Sequence, residues 1–266
     1  MSDVPVSDGP ELPVTVVPGA AASPVVIHCP HASTVIPDDV RRDLLLDDDE
    51  LAAELAAMTD AGTEQVGRLA AGLARTRPWL AINRFSRLVV DPERFPDERE
   101  EMTRVGMGAV YTRTSARRPL RREPAAAFAA LLDTYYRPYQ QALADLVDQR
   151  LAAAGRVIVV DLHSYPRDPL PYELHPDRRR PMTCIGVDPH HTPDPLRRAA
   201  IAAFTPLGAV VVDEPFAGCY IPLRHYRRVP AVTGVMIELR RDGLVTVAAQ
   251  RRRAETLAGL LDAFDG

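Results

Sequence analysis

At 266 residues, with 46% apolar and 26% charged side chains and a net charge of -4, the chain has the composition of a globular protein of one large domain. Every basic side chain is arginine, since no lysine is present, and the acidic balance excludes a binder that holds nucleic acid by a broadly basic surface. No apolar run approaches the roughly 20 residues of a membrane-crossing helix, and Cys29, Cys184 and Cys219 are too scattered for a disulfide framework or a zinc knuckle.

Residues 1–22, rich in Pro, Ala, Gly and Ser, read as a loose leader; they begin acidic and lack the apolar core of a secretory signal, which points to the cytoplasm. The domain is expected over 23–266. PVVIHC (24–29) predicts a first strand, stopped by Pro30. DDDELAAELAAMTDAGTEQVGRLAAGLAR (47–75) opens with acids suited to a helix N-terminus and continues in Ala and Leu. WLAIN (79–83) and RLVVD (87–91) predict a pair of strands. Residues 123–155 predict a long helix pair or a helix kinked near Pro138, ending at Gly155. The four β-branched residues in GRVIVVDLHS (155–164) predict a strand covered on both faces. Strands follow at 183–188, 208–214 and 232–239, with helices at 194–204 and 246–264. This alternation implies an α/β fold, a single mixed and mostly parallel sheet flanked by helices.

In open sheets of this kind, ligands gather beyond the carboxyl ends of the strands. The polar residues just past the apolar runs are His31, Asn83 and Arg84, Asp161 and His163, and Glu238. A catalytic zinc requires about three protein ligands from His, Asp and Glu, with an open position for water. His31 and His163 are the imidazole candidates, and Asp161 shares a strand face with His163, where it can support a ligating histidine. His28 and His31 cannot face the same side of one strand, so His28 reads as a core histidine and His31, freed by Pro30, as the rim residue. His175, His190, His191 and His225 lie in polar or Pro-rich stretches and read as surface groups, with His190 or His191 the members of a competing metal set. A lone glutamate after VMI is unusual, because a buried carboxylate must be paired or functional. There is no GxSxG elbow and no phosphate-binding loop, so metal-activated water is the economical chemistry. The arginine clusters at 117–122 and 178–180 read as solvated loops, with a local anion site as the alternative.

With these residues assembled, the chain resembles the N-formylglutamate amidohydrolase family, which is similar in fold to zinc carboxypeptidases and aspartoacylases. The resemblance rests on CPHASTVIP (29–37), MTDAGTEQV (58–66), INRFSRLVVDPERFPDE (82–98), VVDLHSYP (159–166), DEPFAGCYI (213–221) and GVMIELRRD (234–242), in that order. It implies a Zn2+ cofactor held by His31, His163 and Asp60, with Glu64 as the substitute third ligand, and Glu238 as the general base. It also implies a substrate carboxylate bound among Asn83, Arg84, Arg87 and Arg94, with Asp91 holding one of the arginines. Ala32 and Ser33, and likewise Ala217 and Cys219, depart from the family pattern. N-Formylglutamate is therefore the first expectation for a small-molecule substrate, and a related N-acyl amino acid stays open. A carboxypeptidase-like peptidase and a non-catalytic carboxylate-binding protein are the alternatives on the same fold. Neither nucleic acid nor membrane is expected as a partner.

Overall fold

The computed structural model describes residues 13–122 and 124–264. Seven strands form one sheet in the order β1-β3-β2-β4-β7-β5-β6. They are β1 (Val14–Val17), β2 (Val25–Cys29), β3 (Trp79–Asn83), β4 (Val157–Tyr165), β5 (Thr183–Gly186), β6 (Val210–Val212) and β7 (Val232–Arg240). β2 runs parallel to β3 and β4, β4 parallel to β7, and β5 parallel to β6, whereas β1 and β5 are antiparallel to β3 and β7. The helices are α1 (Asp38–Arg41), α2 (Asp48–Met58), α3 (Thr63–Leu73), α4 (Ala125–Leu131), α5 (Arg137–Ala154), α6 (Asp194–Phe204) and α7 (Val247–Asp262). None of these is long and apolar enough to cross a membrane.

Strand alternation assigns the two faces of the sheet. Ile27 and Cys29 of β2, Ile158, Val160 and Leu162 of β4, and Val235, Ile237 and Leu239 of β7 pack against α3, α6 and α7. Val26, Val157, Val159 and Val232 pack on the opposite face against Tyr139, Leu143, Leu146 and Val147 of α5. The part of that second face covered by α5 is apolar. Further along it bears His28, Asp161, His163 and, paired in register with His163, Glu238. A cleft opens over this polar end of the face.

Two local features differ from the expectations above. Val14–Val17, within the expected leader, forms the edge strand β1 beside β3; residues 1–12 of that leader lie outside the described residues. RLVVD is not a strand but a turn. The Leu88 amide donates to Ser86 Oγ, the Val89 amide donates to the Ser86 carbonyl, and Arg87 Nη2 closes on Asp91 Oδ2 at 2.7 Å. That contact between residues four apart needs a folded backbone, while Leu88 packs with Leu51, Met58 and Met102 and Val90 with Ala109 and Tyr136. The kink near Pro138 takes the form of a π-helical turn over Leu132–Tyr136, which joins α4 to α5 and absorbs the amide that proline lacks. Gly155 ends α5 in the left-handed conformation at φ 71°.

Gly186 of β5 sits where any Cβ would collide with the Gly218 carbonyl and the Met236 side chain. Gly186→Ala is expected to lower stability by about 1–3 kcal/mol, read from the urea midpoint with the slope unchanged.

Candidate active site

Pro30 breaks β2 and turns His31 inward. The Asp60 amide then donates to the His31 carbonyl at 2.9 Å, tying the loop after β2 to the turn between α2 and α3. Thr63 Oγ1 donates to the Asp60 carbonyl at 2.8 Å and holds that turn. Asp60 Oδ2 lies 2.9 Å from His163 Nδ1 and 3.6 Å from His31 Nδ1. One donor atom from each of His31, Asp60 and His163 falls within 4.8 Å of the others, and all three residues are buried. The far nitrogens of both rings meet carboxylates: His31 Nε2 bonds to Asp91 Oδ1 at 3.0 Å, and His163 Nε2 lies 3.0 Å from Asp161 Oδ1.

The electrostatics follow from burial. Desolvation alone would raise the Asp60 carboxyl, but the hydrogen bond from His163 and the nearby positive charge of His31 overcome it and hold the group well below the usual carboxylate range. Asp91 and Asp161 are depressed against the same penalty, Asp91 by the Arg87 and His31 charges and Asp161 by His163 and His28. Desolvation pulls the His31 and His163 imidazoles down, yet the surrounding carboxylates raise both. The cluster therefore demands positive charge at its centre, from imidazolium protons or from a cation. Glu238 behaves in the opposite way. Burial pushes its carboxyl up to about 8, against the lowering effect of His163, and Oε2 has no hydrogen-bond partner.

A cleft of about 610 Å³ opens over these groups, lined also by Arg87, Glu93, Arg94, Tyr172, Arg178 and Arg241. Arg87 is engaged by Tyr111 at 2.9 Å and by Asp91. Arg94 is looser, with Nε 3.6 Å from Asp91 Oδ2 and without a hydrogen bond. Two expected substrate contacts do not reach the cleft. Asn83 is buried, and its Nδ2 donates to the Pro30 carbonyl at 2.8 Å while its Oδ1 accepts from the Phe85 amide, so it fixes the His31 loop. Arg84 is exposed and outside the cleft lining, because strand alternation from Asn83 points it away. Glu64 is also apart from the histidines and pairs with Arg68 along α3 at 2.7 Å.

His28 is the core histidine expected, with Nδ1 at 2.9 Å from Asp161 Oδ1 and Nε2 at 2.6 Å from the Tyr139 hydroxyl. His175 and His190 are exposed. His191 and His225, read as surface groups, are buried. Both ring nitrogens of His191 are bonded, to the Val232 carbonyl and the Arg227 amide, whereas His225 bonds Asp148 through Nε2 alone. Glu93 and Arg241 were not singled out in the sequence. Glu93 Oε2 lies 3.3 Å from His163 Nε2 and 3.6 Å from His31 Nε2, and Arg241 Nη2 lies 3.5 Å from Asp60 Oδ1. The available signal was their place in two of the family-like segments, Glu93 beside Arg94 and Arg241 three residues after Glu238.

An α/β sheet with a buried histidine–carboxylate cluster and a protonatable glutamate at its strand ends is the framework of a hydrolase, here an amidohydrolase. The chain belongs to the N-formylglutamate amidohydrolase family, whose model matches residues 23–245. Among solved structures it is similar to an N-formylglutamate amidohydrolase from Ralstonia eutropha JMP134, at 20% identity over 95% of this chain and 97% of that chain, with a TM-score of 0.77. It is also similar to a gene product from Agrobacterium tumefaciens, at 25% identity over 95% of this chain and 96% of that one, with a TM-score of 0.73. No curated protein matches the chain in sequence.

Because folding raises Glu238 from 4.5 to about 8, the native state holds a proton that the unfolded state has lost in that interval. Its contribution to stability is complete below about 4.5 and is lost as pH rises through about 8. In metal-free protein, Glu238→Gln should become progressively more stable relative to wild type across that window, as measured by urea unfolding at a series of pH values.

Proposed function

We propose that the enzyme is a zinc-dependent amidohydrolase of small N-acyl amino acids, with N-formylglutamate, cleaved to formate and glutamate, as the first substrate. The observation that carries this reading is the convergence of His31, Asp60 and His163 beside a buried Glu238 on the adjacent strand, whose Oε2 has no hydrogen-bond partner. The donor set fits zinc: two imidazoles and one carboxylate, with His31 Nδ1 buried and without a partner, and carboxylates behind both rings to orient them. His31, Asp60 and His163 would hold the ion. When bound, it supplies Lewis acidity, polarising the acyl carbonyl and lowering the pKa of water.

The remaining steps belong to the chain. Glu238 accepts a proton as water oxygen bonds to the acyl carbon, then delivers it to the departing nitrogen as the C–N bond breaks. Its burial suits both roles, since the neutral acid is stable near neutral pH and a neighbouring cation favours the carboxylate. Arg94 anchors the substrate carboxylate, because its guanidinium lines the cleft and its partners Asp91 and Glu100 stand at 3.6 and 3.9 Å. Arg87, already committed to Tyr111 and Asp91, keeps Asp91 ionised behind His31.

Elemental analysis should find about one zinc per chain in wild type and in Glu238→Gln, and a loss of zinc in His163→Ala and Asp60→Ala. Retention of full zinc by His163→Ala would refute the ligand assignment. Glu238→Gln should lose roughly 10²- to 10⁴-fold in kcat, and unchanged turnover would remove its role. Zinc affinity should fall as pH decreases, because protons compete for His31 and His163 whose pKa values are raised; competition with a chromophoric chelator at several pH values measures this.

A further inference from the structure

Three consecutive arginines, Arg178, Arg179 and Arg180, precede β5, and the structure gives them different fates. Arg180 is neutralised by Glu173 at 2.6 Å, both side chains being buried, and its guanidinium lies over the Tyr165 ring. Arg179 points to solvent and pairs with Glu214 at 2.7 Å. Arg178 alone lines the cleft, half-buried. Its Nη1 donates to the backbone carbonyls of Asp213 and Pro215 at 3.4 and 3.2 Å, and among the described residues no carboxylate comes within ion-pair distance. Carbonyl oxygens hold a guanidinium in place without cancelling its charge. Both contacts use one nitrogen, so the rest of the planar fork stays available to a ligand.

The positions of Arg94 and Arg178 complete the argument. His31, His163 and Glu238 follow from β2, β4 and β7 in the middle of the sheet. Arg94 comes from the loop after β3 on one flank, and Arg178 is tied to the loop after β6 on the other. A substrate whose scissile amide sits over the central cluster therefore meets a guanidinium on each side. We infer that Arg178 is a specificity-determining residue, reading a second carboxylate on the substrate so that the enzyme selects dianionic N-acyl amino acids over their neutral isosteres. This rests on the amidohydrolase reading above and adds to it the group that recognises the side-chain end. An arginine binds a carboxylate through two parallel charged hydrogen bonds, which a neutral amide cannot reproduce because its NH2 group is a donor facing donors.

The test compares N-formylglutamate with N-formylglutamine, which has the same shape and one fewer negative charge, on the zinc-loaded full chain. Wild type should favour N-formylglutamate by roughly 10- to 100-fold in kcat/KM, chiefly through KM. Arg178→Gln should remove most of that preference by weakening N-formylglutamate while leaving N-formylglutamine unchanged, and Arg178→Lys should restore part of it. Arg179→Gln, a change at an exposed ion pair, should leave the preference intact. An equal loss on both substrates in Arg178→Gln would reduce Arg178 to a loop brace and overturn the inference. Turnover without preference in wild type would overturn it while the amidohydrolase reading stands. Absence of turnover on both N-formyl amino acids would overturn the reading itself, together with the inference built on it.

Discussion

Everything at the site depends on three carboxylates that are almost fully buried. Asp60, Asp91 and Asp161 are each exposed by 3% or less. A carboxylate in such surroundings survives as an anion only if charge and hydrogen bonds replace the water it has lost. Here the replacements are His31 and His163 for Asp60, His31 and Arg87 for Asp91, and His28, His163 and the Tyr220 amide for Asp161. Each anion touches a histidine that touches another anion. The cluster is thus one electrostatic unit, and no member could be replaced by an apolar residue without stranding a neighbour. The same physics explains why Glu238, lacking a hydrogen-bonded partner at Oε2, takes the opposite course and retains its proton.

The sheet makes this unit possible by dividing one face lengthwise. On β4, Val157 and Val159 pack beneath α5, whereas Asp161 and His163, two and four residues further on, point to the same side beyond that helix. Regular alternation delivers both residues to the cleft once the register is fixed, and pairing with β7 brings Glu238 alongside His163. Helix α5 contributes at its near end as well. The π-helical turn before it lets Tyr136, Tyr139 and Gln140 all face the site, where they meet the Arg94 carbonyl, His28 and the Pro92 carbonyl. The segment bearing Glu93 and Arg94 is therefore held by helix side chains as well as by its own turns.

Much of this was legible because strands announce themselves by composition. The runs VVIHC, WLAIN, VIVVDLHS and VTGVMIEL are strands, and the polar residues at their ends mark the rim. His31, His163 and Glu238 could be picked out by that rule alone, and Asp60 through its place in a family-like segment. Arg84 and Asn83 obeyed the rule superficially and failed for a reason it does not contain. The rule names the end of a strand, but alternation and local hydrogen bonds decide which way each side chain turns. RLVVD misled because β-branched composition also suits a buried loop, and only the Arg87–Asp91 pairing across one turn reveals the fold. Burial of His191 and His225 was invisible because their partners, Val232 and Asp148, are distant in sequence.

The two histidines of β2 and its following loop show how one strand break divides labour. His28 stays in the ladder, between Asp161 and Tyr139, with both ring nitrogens satisfied, so it has no lone pair to offer a ligand. His31, three residues on and past Pro30, keeps Nδ1 unpartnered while Asp91 orients the ring from behind. Asp161 links the two, since its Oδ1 lies 2.9 Å from His28 Nδ1 and 3.0 Å from His163 Nε2. Through that shared oxygen, helix α5 is coupled to the orientation of His163 by way of Tyr139 and His28. His28 is thus a structural residue with a functional consequence. It positions the carboxylate that positions a central imidazole, and its burial deep in the sheet is what makes that positioning rigid.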